Sequence, residues 1–291
     1  MFFGSIPALV TPFSGGRVAE DTFREFVDWQ IAQGSNALVP CGTTGEVATL
    51  DADEHRHVIA TAVEVAKSRV PVIAGAGTYD TAASIERARA AADVGADAVL
   101  VVVPYYNKPS QAGLAAHFLA IANASPLPVV VYNVPSRTVA DISVETLADI
   151  AKHPKIVAVK DATGNLGRVS AQRLACGEDF CQLSGNDDMA LGFNAMVGVG
   201  CVSVTANVAP KLCSDFQKAM REGRWNDALE LQDKLYPLHM ALFTDASPGP
   251  TKYALSRLKN GFPSELRLPL VEASAASKKA VDAALKHAGL L

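Results

Sequence analysis

The segment Ile156-Val157-Ala158-Val159-Lys160-Asp161 shows the pattern that decides the fold of this chain. Four apolar residues follow one another without alternating with polar ones, and the run ends on two charged residues. Continuous apolar runs of this kind indicate strands covered on both faces, which are typical of parallel sheets. Seven further short apolar runs repeat the pattern: Ile6–Val10, Ala37–Pro40, Val70–Ala74, Ala98–Val103, Val129–Tyr132, Cys181–Leu183 and Val199–Val204.

Helical patterns lie between these runs and are clearest in four amphipathic stretches: Asp21–Gln33, Ala52–Lys67, Thr81–Val94 and Ser143–Lys152. Asp51, Asp80 and Ser143 stand where helix N-caps are expected, because their side-chain oxygens can accept from free amides of the first turn. Gly34 and Gly95 are predicted to end two of these helices, where a positive φ is often needed. The chain therefore alternates strands with helices.

Eight strands that alternate with helices fit either a doubly wound sheet or a (β/α)8 TIM barrel. The strand count, the even repeat and the absence of Gly-x-Gly-x-x-Gly after the first strand favour the barrel. After Arg221 the strand pattern stops, and helices are predicted at Trp225–Phe243, Thr251–Lys259 and Val271–His287. We predict an α/β protein with a (β/α)8 TIM barrel over residues 1–222 and a C-terminal helical extension over residues 223–291, packed on the barrel.

Composition and charge argue against several classes of function. The 291 residues include 26 basic and 30 acidic ones, for a net charge of −4, and no clustered basic run, which disfavours nucleic-acid and polybasic membrane binding. The longest apolar stretch, Ala98–Val103, is far shorter than the ~20 residues that cross a bilayer. The N-terminus has no secretory pattern and the five cysteines no closely spaced pairs, so we expect a soluble cytoplasmic protein with reduced thiols.

Neither a metal nor a cofactor is expected. His55 and His57 are two residues apart and would face different directions on a helix, so they make a poor pair of ligands. Cys176 and Cys181 lack the usual zinc spacing, and no second pair accompanies them. The chain also contains neither a Gly-x-Ser-x-Gly turn nor a Walker lysine.

Lys160 is the sharpest candidate for chemistry, because the functional site of a (β/α)8 barrel lies at the carboxyl ends of its strands. Alternation along the strand predicts Ile156, Ala158 and Lys160 on one side, facing the barrel interior. Burial among apolar groups favours a neutral amine, which can attack a carbonyl and form a Schiff base. The plainer interpretation is a lysine that reaches from a strand end to water.

Other polar side chains follow neighbouring strand ends. Tyr132 shares a strand side with Val130 and could carry protons, or could simply fill the top of the barrel. Thr43 and Thr44 could donate hydroxyls to a carboxylate, or could belong only to a tight turn. Arg137 could clamp a substrate carboxylate through two hydrogen bonds, or could lie in a surface ion pair.

Three sequence motifs resemble the dihydrodipicolinate synthase family of the class I pyruvate-lyase superfamily: Gly42-Thr43-Thr44-Gly45-Glu46, Tyr132-Asn133-Val134-Pro135-Ser136-Arg137-Thr138 and Lys160-Asp161-Ala162-Thr163-Gly164. The likeness extends over essentially the whole chain. It implies a 4-hydroxy-tetrahydrodipicolinate synthase activity, with pyruvate and L-aspartate 4-semialdehyde as substrates, in lysine biosynthesis. It also implies a homotetramer built as a dimer of dimers.

The resemblance implies catalytic roles for four residues. Lys160 would form the imine with pyruvate. Tyr132 would carry protons, linked to Thr44 and to a Tyr106 that reaches in from a neighbouring subunit. Such a chain of hydroxyls supplies proton transfer without a histidine.

The resemblance also implies how the substrates are held. Thr43 and Thr44 would bind the carboxylate of pyruvate through their amides and hydroxyls. Arg137 would receive the carboxylate of the aldehyde. Gly185 and Val202 match positions whose backbone lines the pyruvate site.

One departure from the family pattern concerns feedback by L-lysine. Val47, Ala52, Tyr79 and Ala83 align with positions that in feedback-inhibited members are often Ser, His, Asn and Glu, whereas His55 and Tyr105 remain. Without the acidic partner, the ammonium of a bound lysine would lack compensation. We therefore expect lysine inhibition to be weak or absent.

Two other kinds of protein stay open at this point. Another Schiff-base pyruvate aldolase, such as N-acetylneuraminate lyase or a keto-deoxy sugar acid aldolase, would share Lys160 and Tyr132. Arg137 argues against it, because sugar-acid lyases lack the Ser-Arg-Thr turn. A barrel that only binds a small acid, as a sensor or scaffold, would form no covalent adduct.

Overall fold

A parallel sheet forms the centre of the computed structural model, which describes residues 2–291. Its strands are β1 (Gly4–Pro7), β4 (Ile73–Gly75), β5 (Ala98–Val102), β6 (Val129–Asn133), β7 (Ile156–Asp161), β8 (Cys181–Ser184) and β9 (Gly200–Ser203). They are hydrogen-bonded in the order β1-β9-β8-β7-β6-β5-β4. The short strands β2 (Phe13–Ser14) and β3 (Arg17–Val18) form a separate antiparallel pair. Seven of the eight predicted strands are thus confirmed, with bounds shifted by up to three residues.

The eighth predicted strand, Ala37–Pro40, closes the sheet into a barrel through bridges rather than a regular ladder. One parallel bridge joins Val39 to Ala8, just after β1, and another joins Leu38 to Val72, just before β4. This run and both of its neighbours contain a proline. Because proline has no N–H to donate, the ladder is interrupted there and no regular strand forms.

Helices follow the strands and surround the barrel. The barrel helices are α1 (Glu20–Ala32), α2 (Ala52–Ala66), α3 (Thr81–Asp93), α4 (Gln111–Ala124), α5 (Pro135–Thr138), α6 (Val144–Ala151), α7 (Gly167–Cys176), α8 (Ala190–Ala195) and α9 (Pro210–Arg221). The predicted caps are confirmed, since Asp51, Asp80 and Ser143 each accept from an amide three residues on. Gly34 and Gly95 follow α1 and α3 with φ of 100° and 87°, as expected of glycines that end helices.

Two apolar clusters divide the core. The outer cluster lies between the sheet and the helices. The inner cluster fills the barrel and comprises Ile6, Ala8, Ala37, Val39, Ile73, Ala98, Leu100, Val130, Tyr132, Val134, Ala158, Cys181, Leu183 and Val202. Because both faces of each strand meet apolar neighbours, the strands read as continuous apolar runs in the sequence.

One predicted orientation is wrong. Ile156 packs in the outer cluster, whereas Ala158 belongs to the inner one. The pairing of β6 with β7 shifts here, from Val129 opposite Ile156 to Val130 opposite Ala158, which leaves one extra residue in β7. A bulge of this kind changes the alternation by one residue. Lys160 keeps the predicted side because it lies beyond the bulge.

The C-terminal residues form the helices α10 (Trp225–Ala241), α11 (Gly249–Leu258) and α12 (Ala275–His287). The last of these begins four residues later than predicted, after Leu268-Pro269 and the extended chain that follows. The turn after α9 has Gly223 at φ 70°, and α10 packs back against α9. The division at residue 222 stays a prediction. Among the helices of residues 2–291, none is both long and apolar enough to cross a membrane.

Candidate active site

A cavity of about 470 Å³ lies at the carboxyl ends of the strands, where the barrel fold predicts the functional site. It is lined from several strand ends and also from the C-terminal extension. The lining residues are Thr43, Thr44, Tyr132, Val134, Ser136, Arg137, Lys160, Ala162, Gly185, Asn186, Asp187, Asp188, Val204, His239, Met240, Phe243 and Ser247. Six of the predicted site residues are therefore brought together in one cavity: Lys160, Tyr132, Thr43, Thr44, Arg137 and Gly185.

Lys160 lies near the end of β7, and its side chain projects into this cavity. The residue is only 6% exposed. Its neighbour across the β6–β7 ladder is Tyr132, and the Lys160 Nζ lies 4.0 Å from the centre of the Tyr132 ring. No carboxylate of residues 2–291 lies within 4.0 Å of the amine. A buried amine beside a phenol and without a counter-ion is suited to nucleophilic attack on a carbonyl.

Asp161 follows Lys160 in β7 but is held away from the amine. Its Oδ1 accepts from the amide and hydroxyl of Thr163, at 2.8 and 2.6 Å. Its Oδ2 accepts from Gln172 Nε2 at 2.7 Å and from Arg168 Nε at 3.2 Å. These bonds satisfy the buried carboxylate and fix the end of β7. The backbone that carries Lys160 is therefore held in place from the outer side.

Thr43 and Thr44 lie in a tight turn that closes on itself. The Gly45 N–H donates to the Gly42 carbonyl at 3.0 Å, and the Glu46 N–H donates to the Thr43 carbonyl at 3.1 Å. Thr44 is buried, whereas Thr43 is exposed. The segment therefore forms the predicted tight turn, and it also lies at the mouth of the barrel, where Thr43 and Thr44 line the cavity.

Arg137 lies on the short helix α5, directly after β6, and lines the same cavity. Tyr106 does not line it. The Tyr106 side chain is 91% exposed, and its backbone is left-handed with φ 70°. Within this chain, Tyr106 therefore stands apart from Lys160 and points to solvent.

Gly185 and Val202 are placed differently from each other. A Cβ built on Gly185 would lie 3.2 Å from the Lys160 Cε and 2.7 Å from the Ala162 Cβ, so a side chain there would crowd the lysine. Val202 is buried in the inner cluster beneath the cavity, paired with Ile6 across the β1–β9 ladder, and its side chain does not line the cavity. The absence of a side chain at Gly185 thus leaves the space beside the lysine open.

Sequence reasoning missed three titratable groups at the cavity. Asp187 and Asp188 follow the end of β8, where the strand-end rule that selected Lys160 would also have found them. His239 comes from α10 in the extension, and no local pattern marks it. Its Nδ1 lies 2.8 Å from the Thr205 Oγ1. Burial lowers the pKa of His239 below its usual value, and the two aspartates oppose that shift.

Two of the histidine and cysteine candidates, His55 and Cys181, are buried. The His55 Nε2 lies 2.7 Å from the Gly75 carbonyl, so this histidine is bound to the backbone and not presented at the surface. Burial raises the pKa of Cys181 to about 11, which keeps the thiol protonated and poorly nucleophilic. Within residues 2–291 no group of three or more histidine, cysteine or carboxylate side chains could hold a metal ion.

The fold and the cavity define a (β/α)8-barrel enzyme whose buried lysine lies at the carboxyl ends of the strands. Comparison with known proteins identifies the family within this class of enzymes. The model of the dihydrodipicolinate synthetase family matches residues 1–288, and the chain belongs to that family.

Relatives and solved structures agree with this assignment over the full length. The chain is 64% identical over 290 residues to the 4-hydroxy-tetrahydrodipicolinate synthase of Rhizorhabdus wittichii, and 64% identical over 291 residues to that of Zymomonas mobilis, with 100% of each chain covered. The chloride-inhibited dihydrodipicolinate synthase of Acinetobacter baumannii, solved in complex with pyruvate, superposes with a TM-score of 0.97 at 41% identity, again over 100% of both chains.

Proposed function

We propose that this protein is a 4-hydroxy-tetrahydrodipicolinate synthase, an enzyme of the lyase class that condenses pyruvate with L-aspartate 4-semialdehyde. The observation that carries the proposal is Lys160, a buried amine in the cavity of a chain that is 64% identical over its full length to synthases of that name. The reaction supplies the diaminopimelate and lysine pathway.

The reaction begins at the Lys160 amine. It adds to the C2 carbonyl of pyruvate and water leaves, so that an imine forms. The protonated imine draws electrons from C3, and a methyl proton leaves to give an enamine. The enamine C3 then attacks the aldehyde carbon, whose oxygen takes up a proton. Finally, the amino group of the second substrate attacks C2, the ring closes and the Lys160 amine departs.

We assign the transfer of these protons to the phenol of Tyr132. The centre of its ring lies 4.0 Å from the Lys160 Nζ, and Tyr132 lines the same cavity as Thr44. A hydroxyl relay of this kind requires hydrogen-bond reach between donor and acceptor, about 2.6–3.2 Å. Tyr106 extends the relay only from another copy of the chain, because within its own chain it faces solvent. We therefore propose a homotetramer in which Tyr106 enters a neighbouring cavity.

The two substrate carboxylates are assigned to different residues of the cavity. Thr43 and Thr44 offer backbone amides and hydroxyls to the carboxylate of pyruvate, in the same cavity as Gly185. Arg137 offers a planar guanidinium to the carboxylate of the aldehyde, and a guanidinium can bind such a group through two parallel hydrogen bonds. The backbone of Val202 supports the floor beneath them.

Location and regulation are further parts of the proposal. We place the enzyme in the cytoplasm. L-lysine inhibits it weakly or not at all, because Val47, Ala52, Tyr79 and Ala83 offer no carboxylate to a bound ammonium. The burial of His55 against Gly75 removes another polar group from the surface. A steady-state assay that finds half-inhibition at micromolar lysine would contradict this.

Borohydride trapping tests the proposed function. The protein is incubated with pyruvate, reduced with borohydride and mapped by peptide fragmentation. The expected result is a pyruvate-derived mass on Lys160; retention of no ligand would overturn the proposal and favour a barrel that only binds an acid. Turnover with aspartate semialdehyde, compared with sugar aldehydes, then separates a synthase from N-acetylneuraminate lyase and keto-deoxy sugar acid aldolases.

A further inference from the structure

A buried ion pair joins the C-terminal extension to the turn that carries Thr43 and Thr44. The Nζ of Lys252, on α11, lies 2.5 Å from the Oε1 of Glu46, the residue that ends the turn. Both side chains are fully buried. Neither residue lines the cavity, so neither can contact a substrate.

Further contacts hold both side chains of the pair in place. The Lys252 Nζ also donates to the Glu265 carbonyl at 2.8 Å and lies 4.3 Å from the centre of the Phe13 ring. The second carboxylate oxygen of Glu46 accepts from the backbone N–H of Arg267 at 3.1 Å. Lys252 and Arg267 of the extension therefore contact the two oxygens of the Glu46 carboxylate.

Arg267 strengthens the same connection beyond the turn. Its guanidinium donates to the Thr49 carbonyl at 2.7 Å and pairs with the Glu54 carboxylate at the start of α2. It lies 4.3 Å from the centre of the Phe13 ring, which Lys252 also faces. The segment from the turn to α2 is thus held by the extension at several points.

The turn has a conformation that needs such support. Glu46 has a left-handed backbone with φ 54°, which is unfavourable for a residue with a side chain. Its N–H closes the turn onto the Thr43 carbonyl, so a shift of Glu46 would move Thr43 and Thr44 with it. Strained positions persist where the surrounding structure holds them, and they cluster at functional sites.

A buried ion pair is a poor source of stability, because an apolar pair of similar volume would do as well. Its better-attested use is to specify one arrangement. We propose that Lys252 and Glu46 are positioning residues, whose ion pair holds the turn so that Thr43 and Thr44 meet the carboxylate of pyruvate. The extension is thereby a working part of the site. This inference rests on the proposed function.

We call the ion pair between Lys252 and Glu46 the clamp. Substitutions that keep the size of the two side chains test it. In Glu46→Gln and Lys252→Met, we expect the KM for pyruvate to rise about tenfold or more and imine trapping on Lys160 to slow in parallel, since small displacements of positioning groups have large effects. In the double variant no unpaired charge is left buried, so the Tm should recover while the KM for pyruvate stays raised. A double variant that recovers both would overturn the proposal, because the pair would then serve stability alone.

Two control variants lie on the same helix. Arg257→Gln breaks a half-exposed ion pair with Asp282, and Leu255→Ala removes buried apolar volume. Neither should raise the KM for pyruvate, although Leu255→Ala should lower the Tm. If Leu255→Ala raises the KM as much as Lys252→Met, general loosening of the extension explains the effect and the clamp is wrong.

Hydrogen exchange tests the clamp without any substrate, and so independently of the proposed function. Amides of residues 43–46 should exchange faster in Glu46→Gln than in the unmodified protein. In Arg257→Gln, their exchange rates should equal those of the unmodified protein. Unchanged exchange in Glu46→Gln would overturn the clamp even if Lys160 forms the imine. Faster exchange without any imine in the unmodified protein would uphold the clamp and refute the synthase.

Discussion

Lys160 and Lys252 are two buried lysines in similar surroundings with different consequences. Each lies close to the face of an aromatic ring, Tyr132 at 4.0 Å and Phe13 at 4.3 Å. Lys252 is paired with the carboxylate of Glu46 and is sealed from solvent. Lys160 has no carboxylate partner among residues 2–291 and borders a cavity. Burial alone therefore does not mark a reactive lysine.

The counter-ion explains the difference. Burial lowers the pKa of Lys252, but the charge and hydrogen-bond capacity of Glu46 oppose that shift. The Lys252 Nζ is thus one half of a structural pair with Glu46, and it also donates to the Glu265 carbonyl at 2.8 Å. Lys160 has space beside it, kept open by Gly185, and borders a cavity that can admit a small ligand. Access and the lack of a partner are what suit an amine for covalent catalysis.

The largest expected effect is on turnover in Lys160→Met. Without the amine no imine can form, so kcat should fall by roughly 10⁴-fold or more, the scale seen when a nucleophile is removed. Coupled assays with aspartate semialdehyde, together with borohydride trapping, measure this. A variant that keeps more than a tenth or so of its kcat would place the chemistry elsewhere.

Lys252→Met should instead show its main effect on stability. Removing one partner leaves the Glu46 carboxylate buried and unpaired, which lowers the free energy of unfolding by about 3–5 kcal/mol. Urea titration followed by circular dichroism measures the change. Lys160→Met is the matched control. Its free energy of unfolding should stay close to that of the unmodified protein, because this substitution leaves no buried carboxylate without a partner. Equal destabilisation by both substitutions would remove the distinction between the two lysines.

Arg137→Ala separates the two substrates at the same cavity. The KM for aspartate semialdehyde should rise with a loss in kcat/KM of about a hundredfold, because a charge-assisted pair with the substrate carboxylate is removed. Imine trapping with pyruvate should stay close to that of the unmodified protein. Arg173→Ala, in an exposed ion pair with Glu178, is the control and should change neither. Loss of trapping in Arg137→Ala would mean that Arg137 serves pyruvate instead.

A smaller effect is expected on the pH dependence of stability, through His117. Like Lys160, this residue is a buried base with no carboxylate of residues 2–291 in contact. Burial lowers the pKa of His117 to about 4, and its Nε2 has no hydrogen-bond partner within residues 2–291. The unfolded chain therefore binds more protons than the folded one between about pH 6.5 and pH 4, so stability falls as the pH falls through that window. Between about pH 7 and pH 5 the loss should be about 2 kcal/mol.

His117→Gln should remove most of that pH dependence. The half-buried His153 provides the control, since His153→Gln should leave the dependence intact. Urea titrations at both pH values measure the difference. If His117→Gln keeps the full dependence, another buried base, such as His239, accounts for the loss.

The prediction from sequence succeeded where the signal is local. Apolar runs marked the strands, and Asp51 and Ser143 marked helix starts, because strand burial and helix capping depend on neighbours along the chain. It failed at Ile156, because a bulge depends on how β7 pairs with β6. It also failed to find His239, which reaches the cavity from a helix far along the chain.

The residue order alone was enough to indicate an alternating α/β chain, the strand that ends in Lys160, and the turn that contains Thr43 and Thr44. Those features follow from hydrophobic periodicity and from the types of residue at strand ends. Folding decided that Glu46 would be buried against Lys252, while Lys160 stayed free of a counter-ion beside an open cavity. Pairings of this kind depend on which distant segments meet, and electrostatic energies depend on the burial and distance that only the packed molecule defines.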